Sequence, residues 1–238
     1  MSNPHVQSDP GRDDPPAVVF GRISDVPLDA VDKLLESTNA VYGDLNKIFG
    51  HAYWGDLVLH QGGAIAALKE ARECLDALRS EAIGARNTEL GVTVLTAVID
   101  GERYYAQTEE DKAALVNRSL RPRAPGRATH LYVWDRPHEN ADAAGPYEQV
   151  RVVTDAESEV GVLNFTQETG DGDLHSWHTL NEQPLTDGPV LRFDVGSALM
   201  FPRSSVIGFD PLRRGLLEFA RNGERPTALE WQQARWGE

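Results

Sequence analysis

The chain has a single cysteine, Cys74, among 238 residues. One thiol permits no internal disulfide and no zinc site built on cysteines. Long apolar runs are also missing, and no window approaches the roughly 18 apolar residues of a membrane span. The first sixteen residues hold neither a basic cluster nor an apolar stretch, so they do not read as a secretory signal. Positive charge is scarce: 23 Lys and Arg stand against 37 Asp and Glu, for a formal net charge of −14. Phosphate backbones and anionic bilayers repel such a surface. These absences predict a soluble, cytoplasmic protein with no direct nucleic-acid or membrane contact. A basic protein partner is the one class that the charge attracts.

Catalytic signatures are absent as well. There is no Gly-x-Ser-x-Gly elbow, no glycine-rich phosphate loop and no Gly-x-Gly-x-x-Gly. Ser204 and Ser205 follow Phe201-Pro202-Arg203 in a turn, where serine is common. Gly62-Gly63 comes nearest to an anion site, but without a following Lys and Ser or Thr it reads as a helix start. No cofactor is implied.

What is present is enough apolar residue for a real core, 40% of the chain, in one large domain or two small ones. Residues 1–16 read as a disordered tail, and Ala17 to Phe20 as a short strand. Leu28, Val31, Leu35, Thr38, Tyr42, Leu45 and Phe49 recur every three or four residues and predict a helix over 27–49. Its apolar stripe reads as a core face, or alternatively as a docking face for a partner. Ile65, Leu68, Ala71, Leu75, Leu78 and Ala82 predict a second helix over 63–83, stopped by Gly84, with Cys74 buried on its flank. Tyr53-Trp54-Gly55 falls between the two helices. The period then shortens to two. Val92 to Ile99, Asp100-Gly101 and Arg103 to Ala106 predict a hairpin with a type I′ turn. A short helix follows over 109–118, and then the chain's one basic loop, 119–128.

Short strands are predicted at 129–134, 148–154, 160–167, 174–179, 190–194 and 198–201. Asp210 and Pro211 then open a helix whose Leu212, Leu216 and Phe219 share a face and which Gly223 ends. A closing strand spans Thr227 to Trp231. The expected fold class is α+β: a mostly antiparallel sheet, two long N-terminal helices, and a C-terminal helix packed on the sheet. Residues 17–120 form either a separate unit or a layer on the sheet of 129–238.

Two clusters carry candidate chemistry. Residues 135–173 hold ten acids, Asp135, Glu139, Asp142, Glu148, Asp155, Glu157, Glu159, Glu168, Asp171 and Asp173, against two bases, Arg136 and Arg151. That stretch supplies more than half the net charge. It reads either as a phosphate-like patch for a basic cleft or as a solvated sheet rim. Asp171, Asp173, His175 and His178 gather the donor types of a metal site. Strand geometry sends residue 178 to the opposite side from 171, 173 and 175, so convergence of all four requires a bend.

Phe201-Pro202, Ser205-Val206, Asp210, the apolar helix Leu212 to Ala220, Gly223-Glu224-Arg225-Pro226 and Leu229-Glu230-Trp231 follow one another toward the C-terminus. This order resembles the ending of immunity-protein family 1 of bacterial polymorphic toxin systems. Gly161, Leu163 and Phe165 are similar to that family's Gly-x-Leu-x-Phe/Trp strand. The resemblance spans about 130–231 and is strongest over 201–231. It implies a non-catalytic protein that neutralises a cognate toxin, often a nucleic-acid deaminase, by occluding its active site. It also implies structural roles for Phe201, Pro202, Phe219, Gly223, Arg225, Pro226, Glu230 and Trp231. The acids of 135–173 are then the expected toxin-facing residues. The alternatives are a metal-dependent enzyme or accessory enzyme using the 171–178 cluster, and a non-catalytic scaffold or regulator docking through the 27–49 helix.

Overall fold

The computed structural model describes residues 22–49, 55–138, 145–169 and 172–234. The predicted tail, the strand at 17–20 and the pair Tyr53-Trp54 lie outside the described residues. Helix α1 (Leu28–Phe49) and helix α2 (Gly55–Leu90) form an antiparallel hairpin. The spaced residues of α1 turn inward: Val31 is buried and Leu35, Thr38, Tyr42 and Leu45 are half-buried, while Leu34 and Val41 face out. The partner of this stripe is α2, whose Ile65, Leu68, Leu75, Leu78 and Ala82 answer it.

Helix α2 exceeds its expected bounds at both ends. Gly62 and Gly63 lie inside it, and Gly84 does not stop it. The reason at Gly84 is a close approach. A Cβ there would sit 2.4 Å from Arg136 Cζ, so only glycine lets the Arg136 side chain cross the helix. Cys74, expected to be buried, is exposed, as is Ala71 of the expected stripe, because Leu75 and Leu78 make the inward face in that part of the helix.

Arg136 pins the end of α2 to the sheet. Its side chain is 10% exposed, and its Nη1 donates to Glu81 Oε1 at 2.6 Å. Nε and Nη2 bond both oxygens of Asp135 at 2.8 and 3.2 Å, and the guanidinium lies over the Trp134 ring. Asn87 Nδ2 donates to the Asp135 carbonyl. Removing one member of a largely buried charge cluster leaves the rest uncompensated. Arg136→Gln is therefore expected to lower stability by about 1–3 kcal/mol, with amide exchange accelerating first over 80–90. Unchanged exchange in that segment would show that other contacts hold α2.

The sheet is antiparallel, in the order β2-β1-β3-β4-β5-β6-β8. Its strands are β1 (Val94–Ile99), β2 (Glu102–Ala106), β3 (Thr129–Trp134), β4 (Glu148–Asp155), β5 (Val160–Glu168), β6 (Leu174–Thr179) and β8 (Trp231–Gln233). A two-residue strand, β7 (Ile207–Gly208), pairs with the start of β5. Asp100 at φ 56° and Gly101 at φ 89° make the β1–β2 turn, as the type I′ signal requires. The Asp100 carboxylate accepts the amides of Arg123 and Ala124 and so ties down the basic loop. Those amide bonds hold it below the usual carboxylate range.

Helices α3 (Glu109–Ser119) and α4 (Phe209–Asn222) cover one sheet face. Leu115, Val116, Leu212, Leu216 and Phe219 meet Leu95, Leu131, Val150, Leu163 and Phe165 in the main core. The period-two alternation sends every second residue of β3 and β4 to the other face. There Val153 and Val162 pack with Leu191, Phe201 and Val206 in a smaller cluster.

Three expectations are corrected in this region. Residues 190–194 and 198–201 are not sheet strands. They fold onto each other through a single bridge, Arg192 to Met200, and lie over the open sheet face. Helix α4 starts at Phe209 with Gly208 as its cap, so Asp210 is a first-turn acid rather than the cap. The closing strand is Trp231–Gln233, and the residues from Thr227 to Glu230 form the turn before it.

Candidate functional site

The acids of 135–173 do not form one surface. Glu139, Asp142 and Asp171 lie outside the described residues. The other seven divide between the two ends of the sheet, because β4 and β5 run antiparallel with Glu148 opposite Gln167 and Asp155 opposite Val160. Asp135, Glu148, Glu168 and Asp173 stand at one end. Asp155, Glu157 and Glu159 stand at the other, some ~24 Å away at the rise of an extended strand. Several have local work. Asp135 is held by Arg136. Asp155 accepts the Ser158 amide in the β4–β5 turn. Glu159 pairs with Arg121 of the basic loop at 2.7 Å. Glu148 accepts from Gln167 across the strands.

The 171–178 residues are spread rather than gathered. Asp173 and His175 are exposed, and His175 stacks on Trp177. His178 is buried against Phe201 on the other side of the strand. Strand alternation thus places the two histidines on opposite faces. Among the described residues no group of three or more His, Cys, Asp or Glu side chains is placed to hold a metal ion.

The C-terminal motif residues converge on packing. Phe219 is 0% exposed and meets Phe165 edge-on. Trp231 meets Phe165 from the other side, and its Nε1 donates to the Pro226 carbonyl at 2.7 Å. Arg225 lies over the Trp177 ring at 4.3 Å. Gly223 takes φ 76°, the left-handed turn that ends α4. Pro202 precedes a 3₁₀ turn, Phe201 anchors the smaller cluster, and the Glu230 carbonyl accepts the Leu180 amide. The sequence reading passed over Glu218. Its carboxylate accepts from the Thr227 amide and hydroxyl and from the Ala228 amide, fixing the turn that follows α4. A lone glutamate nine residues before a turn carries no local signal of that role.

The sheet face opposite the helices holds a second feature that the sequence reading missed. Gln149, Arg151, Asn164, Thr166 and Ser176 line a groove of about 260 Å³, walled by Leu174 and Phe193. The Arg151 guanidinium stacks on Phe193 at 3.5 Å. Its Nε donates to His130 Nε2 at 3.1 Å. Its Nη1 is buried and has no hydrogen-bond partner. Burial and the Arg151 charge together push His130 down to about 4, against the opposing pull of Asp194. His130 is therefore neutral at physiological pH and can accept from Arg151. The available signal was an arginine at an outward position between Val150 and Val152, in a stretch otherwise rich in acid. Phe193, the other half of the arrangement, comes from a loop with no local pattern linking it to β4.

A family model described as Immunity protein Imm1 matches residues 70–233. The match runs from the middle of α2 to β8 and reaches further toward the N-terminus than the resemblance that began near residue 130. Helix α1 and the first part of α2 lie outside it. No curated protein matches the chain.

Proposed function

Because the chain belongs to the Imm1 family of immunity proteins, we propose that it binds a cognate bacterial toxin and neutralises it by occluding the active site, without catalysis of its own. The family match carries this reading, since it spans the whole sheet and both helices packed on it. The arrangement of the matched residues supports it, since the C-terminal motif serves packing. The chain's net charge of −14 favours a basic toxin domain as the partner. In this reading it meets the acidic end of the sheet where Glu148, Glu168 and Asp173 stand.

Co-expression with the product of a neighbouring gene tests the proposal. A one-to-one complex in which the toxin is silent is the expected result. Failure of every neighbouring product to bind, together with no protection of the host, would overturn it. Within such a complex, reversing Glu148, Glu168 and Asp173 to lysine is expected to slow association about tenfold or more at low salt and to flatten its salt dependence. Association unchanged by that triple reversal would remove this rim from the interface.

A further inference from the structure

Arg151 sits in the middle of the sheet face that α3 and α4 leave open. Its guanidinium is fixed on three sides: Phe193 stacks on its plane, His130 accepts from Nε, and the floor of the groove is β5 and β6. Nη1 is buried and meets no acceptor within the chain. A buried donor left unpaired opposes folding, and a charged donor does so more strongly. The charge of nearby Asp194 favours the protonated guanidinium from a distance, while its Oδ1 accepts the amides of Ala128 and Val195. Hydroxyls lie close by: Ser176 Oγ accepts from Asn164 Nδ2 at 2.8 Å and lies 3.4 Å from Thr166 Oγ1. A preformed, rigid cation beside hydroxyl donors is the arrangement that recognises an oxyanion.

We propose that the Arg151 groove is a carboxylate-binding site that takes one acidic side chain of the protein this chain binds. One cation matches one negative charge. Glu168, in register with Leu174 at the groove's edge, repels a phosphate dianion more strongly than a singly charged carboxylate. Leu174 and Phe193 supply apolar walls for the methylenes of a glutamate or aspartate. The rigid stacking removes most of the ordering cost that a free arginine bears on binding. The inference rests on the immunity reading only for the identity of the carboxylate's owner. The interface then has two parts of opposite sign: an acidic rim that steers a basic partner, and a single half-buried cation that anchors it.

The test uses the full chain and two blocked amino acids. N-acetyl-glutamate N-methylamide, titrated into labelled protein, is expected to shift the Arg151 Nε–H and Asn164 side-chain signals saturably, in the millimolar range typical of a fragment. The blocked glutamine analogue is expected to leave them unmoved. In Arg151→Gln the response should vanish while the Trp231 indole signal and the thermal midpoint stay in place. A purely structural arginine would instead lower the midpoint and show no ligand response. Equal shifts with the glutamine analogue, or none with either, would overturn the proposal. Saturation by inorganic phosphate at lower concentration than by the blocked glutamate would overturn it in favour of a free-anion site. In a toxin complex, Arg151→Gln is expected to raise the dissociation rate at least tenfold with association little changed. A complex that forms normally and dissociates at the unaltered rate would sink the groove assignment and leave the immunity reading standing. A groove that binds the blocked glutamate in a chain that captures no toxin would do the reverse.

Discussion

Replacing Phe219 with alanine is expected to lower the stability of the fold by about 3–5 kcal/mol. Phe219 is fully buried on α4 and is the largest of the side chains, with Leu212 and Leu216, through which that helix reaches the sheet core. It touches Phe165 edge-on, and Phe165 in turn meets Trp177 and Trp231. The alanine forfeits the transfer free energy of the ring and leaves a cavity. The neighbours cannot fill it, because Trp231 is tethered to the Pro226 carbonyl and Gly223 holds the end of α4. A whole domain is stable by only about 5–15 kcal/mol, so the loss is a large share of the total. Urea denaturation followed by tryptophan fluorescence measures it. A shift below about 1 kcal/mol would mean that α4 is not anchored through this ring.

Stability is also expected to fall by about 3 kcal/mol as pH drops from 6.5 to 4, through His130 alone. Its folded value is pushed down to about 4 against 6.5 for the free side chain. Above 6.5 both states are neutral and the residue contributes no pH dependence. Between 6.5 and 4 the unfolded chain takes up a proton that the folded chain refuses, so acid favours unfolding. Burial is the first cause and the adjacent Arg151 the second, with Asp194 opposing both. His138 and His178 are lowered by burial and push in the same direction. Glu218 and Asp100, held below their ordinary range, lose their contribution only in more acid solution. Urea midpoints at a series of pH values check the slope. His130→Gln, which keeps an acceptor for Arg151 Nε, should flatten it by close to one proton between pH 4.5 and 6. A slope that the substitution leaves intact would assign the acid sensitivity to other groups.

Much of the fold can be read along the chain wherever one segment carries its own instruction. The stripe of α1, the Asp100-Gly101 turn, the bounds of β3 and β6 and the glycine that ends α4 are all local patterns. The misreadings fall where a partner distant in sequence decides. Gly84 looks like a helix stop and is instead the clearance for Arg136, 52 residues on. The segments at 190–194 and 198–201 alternate like strands. Their apolar side chains Leu191 and Phe201 instead pack on Val153 and Val162 of the sheet face. The two segments close on each other and lie over the sheet.

The amino-acid sequence alone determined the sign of the surface charge, the α+β class and the kinship with immunity proteins, because charge, periodicity and motif order are properties of neighbouring residues. Tertiary structure alone decided which acids share a surface. Glu148 and Asp155 stand at opposite ends of β4, and antiparallel pairing sets the end of β5 beside the first and its start beside the second. It also created the Arg151 groove, by laying Phe193 from a distant loop on a guanidinium whose own strand gives no hint of it. Steering by charge is written into composition. An anchoring site exists only where the folded chain brings a buried donor, an aromatic platform and an opening to the same point.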